Sequence, residues 1–113
     1  PLQALVLWND PQYVEAARKL AERTLGGAGD DSARLTLLFR RCTGRAPDAE
    51  ELRALATSLA RFRERYAKSE KDASALLAVG EAPRAKELAP GELAAWTMIA
   101  NSVLALDATV SRN

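Results

Sequence analysis

The side chains of this sequence that could do acid–base chemistry are carboxylates close to predicted helix ends. Asn9 and Asp10 precede Pro11, and Asp30 is followed directly by Asp31. At an interface with another domain, such carboxylates could act as a general acid or base. The same residue types also cap helices, because their side-chain oxygens accept hydrogen bonds from the first free backbone N–H groups. Capping is the interpretation we favour, and the sequence predicts no catalytic residue.

Histidine is absent from the chain, and cysteine occurs once, as Cys42. The missing histidine removes the commonest general base and the commonest protein ligand of zinc and haem. Cys42 follows the apolar pattern of a helix and has no histidine to activate it, so we expect a small buried hydrophobic residue. The sequence therefore predicts no metal-binding residue, no cofactor-binding residue and no cofactor.

Two further motifs could bind phosphate groups, and neither has the full pattern. The run from Gly26 to Gly29 lacks the Lys-Ser/Thr of a phosphate-binding loop and is typical of a linker after a helix. Residues 61–66 mix arginines with Phe62 and Tyr66, but these aromatic residues continue an apolar helical pattern and Glu64 interrupts the charge. The net charge is only +1, whereas nucleic-acid-binding domains are usually strongly basic. We predict no nucleic-acid partner.

The composition favours one helical domain over residues 1–113. Hydrophobic residues make up 48% of the chain, aromatic residues only 5%, and Ala and Leu dominate, which suits helices better than strands. No stretch approaches the roughly 20 apolar residues of a membrane-spanning helix. The sequence thus predicts an all-α, compact bundle of about five to six helices, with no sheet and no membrane span.

The elements that would position these residues are predicted from apolar periodicity and capping signals. Asp48 and Glu51 have the spacing of a capping box, Ser69 can cap the next helix, and Gly44 and Gly80 mark helix ends. Arg18 is expected on the solvent side of its helix, and the residues from Asp107 onward are expected to form a polar tail. The predicted helices cover residues 2–8, 11–25, 31–43, 49–68, 70–79 and 90–106.

Two of the predicted helices should form the core. Helix 49–68 has an apolar seam at three- and four-residue spacing, which indicates packing along another helix. Helix 90–106 is apolar on most sides and is therefore expected at the centre of the bundle. We expect Leu2, Leu5 and Val6 to contact the helix that bears Trp96, so deleting residues 1–8 should lower the melting temperature. The seam residues are Leu52, Leu55, Leu59, Phe62 and Tyr66.

Four segments of the chain resemble the planctomycete and verrucomicrobial family known as domain of unknown function 1553. The first is PLQALVLWNDPQYVEAARKLAER at 1–23 and the last is ELAAWTMIANSVLALDATVSRN at 92–113. Between them lie FRRCTGRAP at 39–47, followed by EEL at 50–52, and AVGE at 78–81. The chain departs from the family pattern at Trp8, where Leu is usual, and at Ala89, where Asp is frequent.

The resemblance implies a domain from the C-terminal region of a large exported protein, at work in the periplasm or outside the cell. Such proteins often carry an N-terminal c-type cytochrome domain with a C-x-x-C-H haem site. This chain, with no histidine and one cysteine, cannot be that haem module. The family has no established activity and therefore implies no site residues.

Two functions follow from these patterns. The favoured one is a non-catalytic structural or interaction module that packs on the remainder of its parent chain or on another protein. The alternative is an accessory domain that completes the active site of an extracytoplasmic enzyme, acting on polysaccharide or coupled to a cytochrome, with Asn9, Asp10, Asp30 and Asp31 as its carboxylates and amide. Enzymatic activity of the domain alone is not expected under the favoured function.

Overall fold

Five helices account for most of the chain in the computed structural model, which describes residues 10–27, 29–80 and 83–111. The described residues contain no strand, so the predicted all-α bundle is confirmed. The predicted helix 2–8 and the expected contacts of Leu2, Leu5 and Val6 lie outside the described residues. The helices are α1 (Pro11–Gly26), α2 (Asp31–Thr43), α3 (Ala49–Lys68), α4 (Glu70–Leu77) and α5 (Pro90–Ser111).

Helix α5 lies at the centre of the bundle, as its sequence predicts. Every residue from 93 to 103 is buried, and α5 contacts each of the other four helices, most extensively α1 and α3. Trp96 is fully buried, and Thr97 satisfies its buried hydroxyl by donating to the Leu93 carbonyl at 2.7 Å. A helix that is apolar on most sides needs neighbours on most sides, and this arrangement supplies them.

The helix starts are capped by the residues that the sequence predicts. The Asp10 carboxylate accepts from the Gln12 backbone N–H of α1 at 2.8 Å, and the Asp30 carboxylate accepts from the Ala33 backbone N–H of α2 at 2.9 Å. Asp48 and Glu51 form the expected capping box, with each carboxylate accepting from the other residue's backbone N–H at 2.7 and 3.0 Å. These bonds satisfy donors that a helix start leaves without an intrahelical partner.

The seam of α3 is buried to different degrees along its length. Leu55, Leu59 and Tyr66 are buried, whereas Leu52 and Phe62 are half-buried and pack at the edge of the core. The seam packs against α5, which confirms the predicted helix-to-helix contact.

Two helix ends differ from prediction. Helix α4 ends at Leu77 rather than residue 79, because a tight turn follows, in which the Val79 N–H donates to the Leu76 carbonyl at 3.2 Å. Helix α5 continues to Ser111, so the predicted polar tail from Asp107 is wrong over residues 107–111. Neither glycine nor proline occurs in 107–111, and without such a residue a well-packed helix continues.

Candidate functional site

The carboxylates singled out in the sequence lie at helix starts. Asp10 and Asp30 cap α1 and α2, and Asn9 lies outside the described residues. Asp31 forms an ion pair with Arg63 of α3 at 2.6 Å. Hydrogen bonds from Arg63 hold the pKa of Asp31 below its ordinary value of 3.8, so this carboxylate stays ionised at neutral pH and is a poor general acid.

Arg63 joins three helices at one end of the bundle. Its Nη1 and Nη2 donate to the Asp31 carboxylate of α2 at 2.6 and 3.0 Å, and its Nε donates to Oε2 of Glu92 in α5 at 2.9 Å. Its Nη2 also donates to Oε1 of Glu92, and the buried Trp96 indole donates to the same oxygen at 3.0 Å. We call Arg63, Asp31 and Glu92 the Arg63 network.

The hydrogen bonds of the Arg63 network join charged groups, and they shift the pKa values of its members. Hydrogen bonds from Arg63 lower the pKa of Glu92, and those to Asp31 and Glu92 raise the pKa of Arg63 further above its already high value. The sequence reasoning did not find this network. Two sequence features could have indicated it. Arg63 is next to the seam residue Phe62, and Glu92 precedes Trp96 by four residues, which places both on one side of α5.

Arg18 is buried, which contradicts its predicted place on the solvent side of α1. Its side chain is 1% exposed, and its Nη1 donates to the Glu22 carboxylate at 3.0 Å and to the Pro83 carbonyl at 3.2 Å. The same Glu22 oxygen accepts from the Ala85 backbone N–H at 2.6 Å. The segment before α5 therefore covers this side of α1, and Arg18 with Glu22 holds it there. We call these two residues the Arg18 pair.

Gly80 lies at the start of the same loop and approaches Glu15 of α1 closely. Its φ is +93°, and a Cβ at this position would lie 2.8 Å from the Cβ of Glu15. A side chain here would therefore meet both backbone strain and a steric clash. Gly80 therefore does more than end α4, because only a residue without a Cβ fits this turn against Glu15 without strain.

Cys42 is half-buried and packs against the core, in line with its predicted apolar role. Burial, with a smaller effect of the Asp107 carboxylate, raises the pKa of the thiol to about 11. The thiol therefore stays protonated at neutral pH, and a protonated thiol is a weak nucleophile.

The glycine-rich segment after α1 ends a helix, as the linker interpretation predicts. Arg34 of α2 donates from Nη2 to the Leu25 carbonyl at 3.3 Å and to the Gly27 carbonyl at 3.0 Å. These bonds satisfy carbonyls that the end of α1 leaves without an intrahelical donor. The backbone here presents carbonyl oxygens to a guanidinium rather than N–H groups to a phosphate.

The surface of the domain carries a groove between α2 and α3 and two exposed large apolar side chains. A groove of about 380 Å³ opens between the first halves of the two helices. Leu37 of α2 is 39% exposed, and Tyr13 of α1 is 42% exposed. The groove lining is mostly apolar and includes Asp31, Ser32, Leu35, Leu52, Arg53 and Ala56.

Within the residues that the structure describes, no group of three or more His, Cys, Asp or Glu side chains is arranged to hold a metal ion. None of the described helices is both long enough and apolar enough to cross a bilayer.

Comparison with protein-family models matches about half of the chain. The family described as PSD1: Protein of unknown function (DUF1553) matches residues 1–59, a range that contains α1, α2 and the first half of α3. The segments 78–81 and 92–113, which also resemble that family, lie outside the matched range. No curated protein and no solved structure matches the chain significantly.

Proposed function

This chain belongs to the family PSD1, Protein of unknown function (DUF1553), and on that premise we propose that it is a non-catalytic helical interaction module. The module packs on the remainder of a larger exported protein or on another protein. Export and the association with cytochrome-containing relatives enter this proposal from the family resemblance alone.

The observation that carries the proposal is that the buried and half-buried charged side chains bond to other elements of the same domain. Arg18 with Glu22 holds the segment before α5 on α1, and Arg63 with Glu92 holds α3 on α5. Groups of this kind in an active site are normally aimed at a cavity where substrate can reach them. Here they join one element of the domain to another and stabilise its shape.

The accessory-enzyme alternative draws on carboxylates that have structural partners. Asp10 and Asp30 cap helices, and Asp31 is bound to Arg63. These structural partners favour the interaction function over the accessory-enzyme alternative.

Hydrogen exchange tests the proposal by comparing this chain alone with the full-length protein that contains it. Packing on the parent chain or on a partner removes a surface from water and slows local opening of the helices beneath it. We expect slower amide exchange across at least one exposed helix face of the domain in the full-length protein. If the full-length protein alone gives no change, the comparison is repeated in its assembly with the partner protein. Identical exchange rates in every described helix, alone and in the assembly, would contradict the proposed function.

A further inference from the structure

The outer face of α2 combines an exposed apolar side chain with exposed arginines. Leu37 is 39% exposed, and Arg40 and Arg41 are also exposed. The two arginines follow Leu37 by three and four residues, which places all three side chains on one face of the helix. We call Leu37, Arg40 and Arg41 the α2 patch.

No carboxylate of the described residues neutralises the arginines of the α2 patch. Neither forms an ion pair with any carboxylate of the described residues, and the same holds for the exposed Arg53 and Arg61 of α3. The acidic side chains of the same stretch are mostly occupied, as helix caps or in ion pairs with Arg63, Arg45 and Lys68. These occupied acids are Asp30, Asp31, Asp48, Glu51 and Glu64.

The charge of the chain is also divided unevenly. Residues 30–68 contain nine basic and six acidic residues, a net charge of +3, whereas the rest of the chain contains seven basic and nine acidic residues, a net charge of −2. Eight of the nine basic residues in 30–68 are arginines. The planar guanidinium group of arginine binds carboxylates through two parallel hydrogen bonds, which lysine cannot do.

We infer that the α2 patch docks an acidic protein segment that carries an apolar side chain. The apolar side chain contacts Leu37, and the carboxylates of the segment pair with Arg40 and Arg41. This inference rests on the proposed function and names the chemistry of the partner surface.

The features of the patch favour a protein segment over a nucleic acid. Nucleic-acid affinity comes mainly from phosphate neutralisation and increases with the number of basic contacts, yet the chain as a whole carries only +1. An exposed leucine on the same helix face as the arginines adds nothing to phosphate binding. The same leucine gives an amphipathic peptide a contact for its apolar face.

Arg40 and Arg41 also lie in the last turn of α2, where positive charge stabilises the carbonyl end of a helix. That role needs no partner and is measured separately, as a change in the melting temperature of the free domain. Docking is measured by binding, at a temperature where circular dichroism shows that each variant is fully folded.

The experiment titrates the domain into a fluorescein-labelled synthetic peptide and follows fluorescence anisotropy. The peptide is an amphipathic helix with leucines at three- and four-residue spacing and glutamates at the other positions. We expect binding that weakens roughly tenfold in the double variant R40Q/R41Q, since tenfold corresponds to the loss of about one charge-assisted contact. We expect a weakening of several-fold in L37A, and weaker binding at higher salt.

Matched controls separate the α2 patch from general charge. The double variant K19Q/R23Q removes the same charge from exposed positions on α1 and should leave the affinity unchanged. A peptide with lysine in place of glutamate should not bind. Failure of the acidic peptide to bind, equal weakening in K19Q/R23Q, or an unchanged affinity in L37A would each overturn the inference.

The experiments distinguish binding of a nucleic acid from binding of a protein segment, and failure of the α2 patch from failure of the proposed function. Binding of a DNA duplex that requires Arg40 and Arg41 but is indifferent to L37A would overturn the protein-segment inference. If the peptide fails but hydrogen exchange in the full-length protein slows on another helix face, the interaction function stands and only the α2 patch is excluded.

Discussion

Arg18 and Arg63 both join distant parts of the chain, but they do so in different surroundings. Arg18 is 1% exposed and holds a loop on α1, whereas Arg63 is 35% exposed and connects three helices. Removing one partner of a buried ion pair leaves a charge that water cannot reach, whereas the groups around a half-exposed pair regain water. The contrast teaches that the same guanidinium chemistry should contribute very differently to stability at these two places.

The largest expected effect is that of Glu22→Ala. It removes the carboxylate that accepts from the buried Arg18 guanidinium at 3.0 Å and from the Ala85 backbone N–H at 2.6 Å. We expect the free energy of unfolding to fall by about 3 kcal/mol, measured by urea denaturation. The exposed neighbour Arg23→Ala is the control and should change stability by less than about 0.5 kcal/mol. A loss for Glu22→Ala no larger than that of the control would remove the contrast between the two arginines.

The next effect is that of Gly80→Ala, which tests whether the loop held by Arg18 must approach α1 so closely. A Cβ at Gly80 clashes with Glu15, and its φ of +93° is unfavourable for alanine. We expect a loss of about 2 kcal/mol. Gly26→Ala is the matched control, because a Cβ there meets nothing within 4 Å and its φ is ordinary. It should be neutral or slightly stabilising. Equal melting temperatures for the two variants would show that the loop can move away from α1.

A smaller effect is expected for Arg63→Ala. Because Arg63 is 35% exposed and Asp31 is 49% exposed, water replaces much of what the ion pairs supply, and we expect a loss of about 1 kcal/mol. The loss should shrink in high salt, since salt screens exposed charges. Arg61→Ala, two residues away and without an ion pair among the described residues, is the control. A loss as large as that of Glu22→Ala would show that the Arg63 network behaves as a buried one.

The Arg63 network should also make stability depend on pH. The pKa values of Asp31 and Glu92 are lowered from ordinary values of 3.8 and 4.5. Such a carboxylate stabilises the folded state fully above its unfolded pKa, and the contribution disappears as the pH falls through its folded pKa. The difference in unfolding free energy between the wild type and Arg63→Ala should therefore be constant above about pH 5 and shrink progressively below about pH 4. If this difference in unfolding free energy instead grows as the pH falls, the pKa values of Asp31 and Glu92 are not lowered by Arg63.

Most of the helical architecture could be predicted from the sequence, because its signals are local. The capping box of Asp48 and Glu51 lies within one turn, and the left-handed Gly44 directly follows α2. The central position of α5 followed from an apolar surface on most sides of the helix. The prediction fails at the end of α5 because polar residues such as Asp107 do not end a helix by themselves, and neither glycine nor proline occurs in 107–111.

The sequence by itself determined which of the described segments become helices, where these five helices start and which helix must be central. Only the tertiary structure decided that Arg18 is buried and that Arg63 bonds to Asp31 and Glu92. It also decided that the arginines of the α2 patch form no ion pair with a carboxylate in the described part of the chain. The physical reason is distance along the chain. Caps and helical faces depend on residues within one or two turns, whereas Arg63 meets Glu92 across 29 residues and Arg18 meets Pro83 across 65. Such partners are selected by the packing of whole helices, which no local pattern specifies.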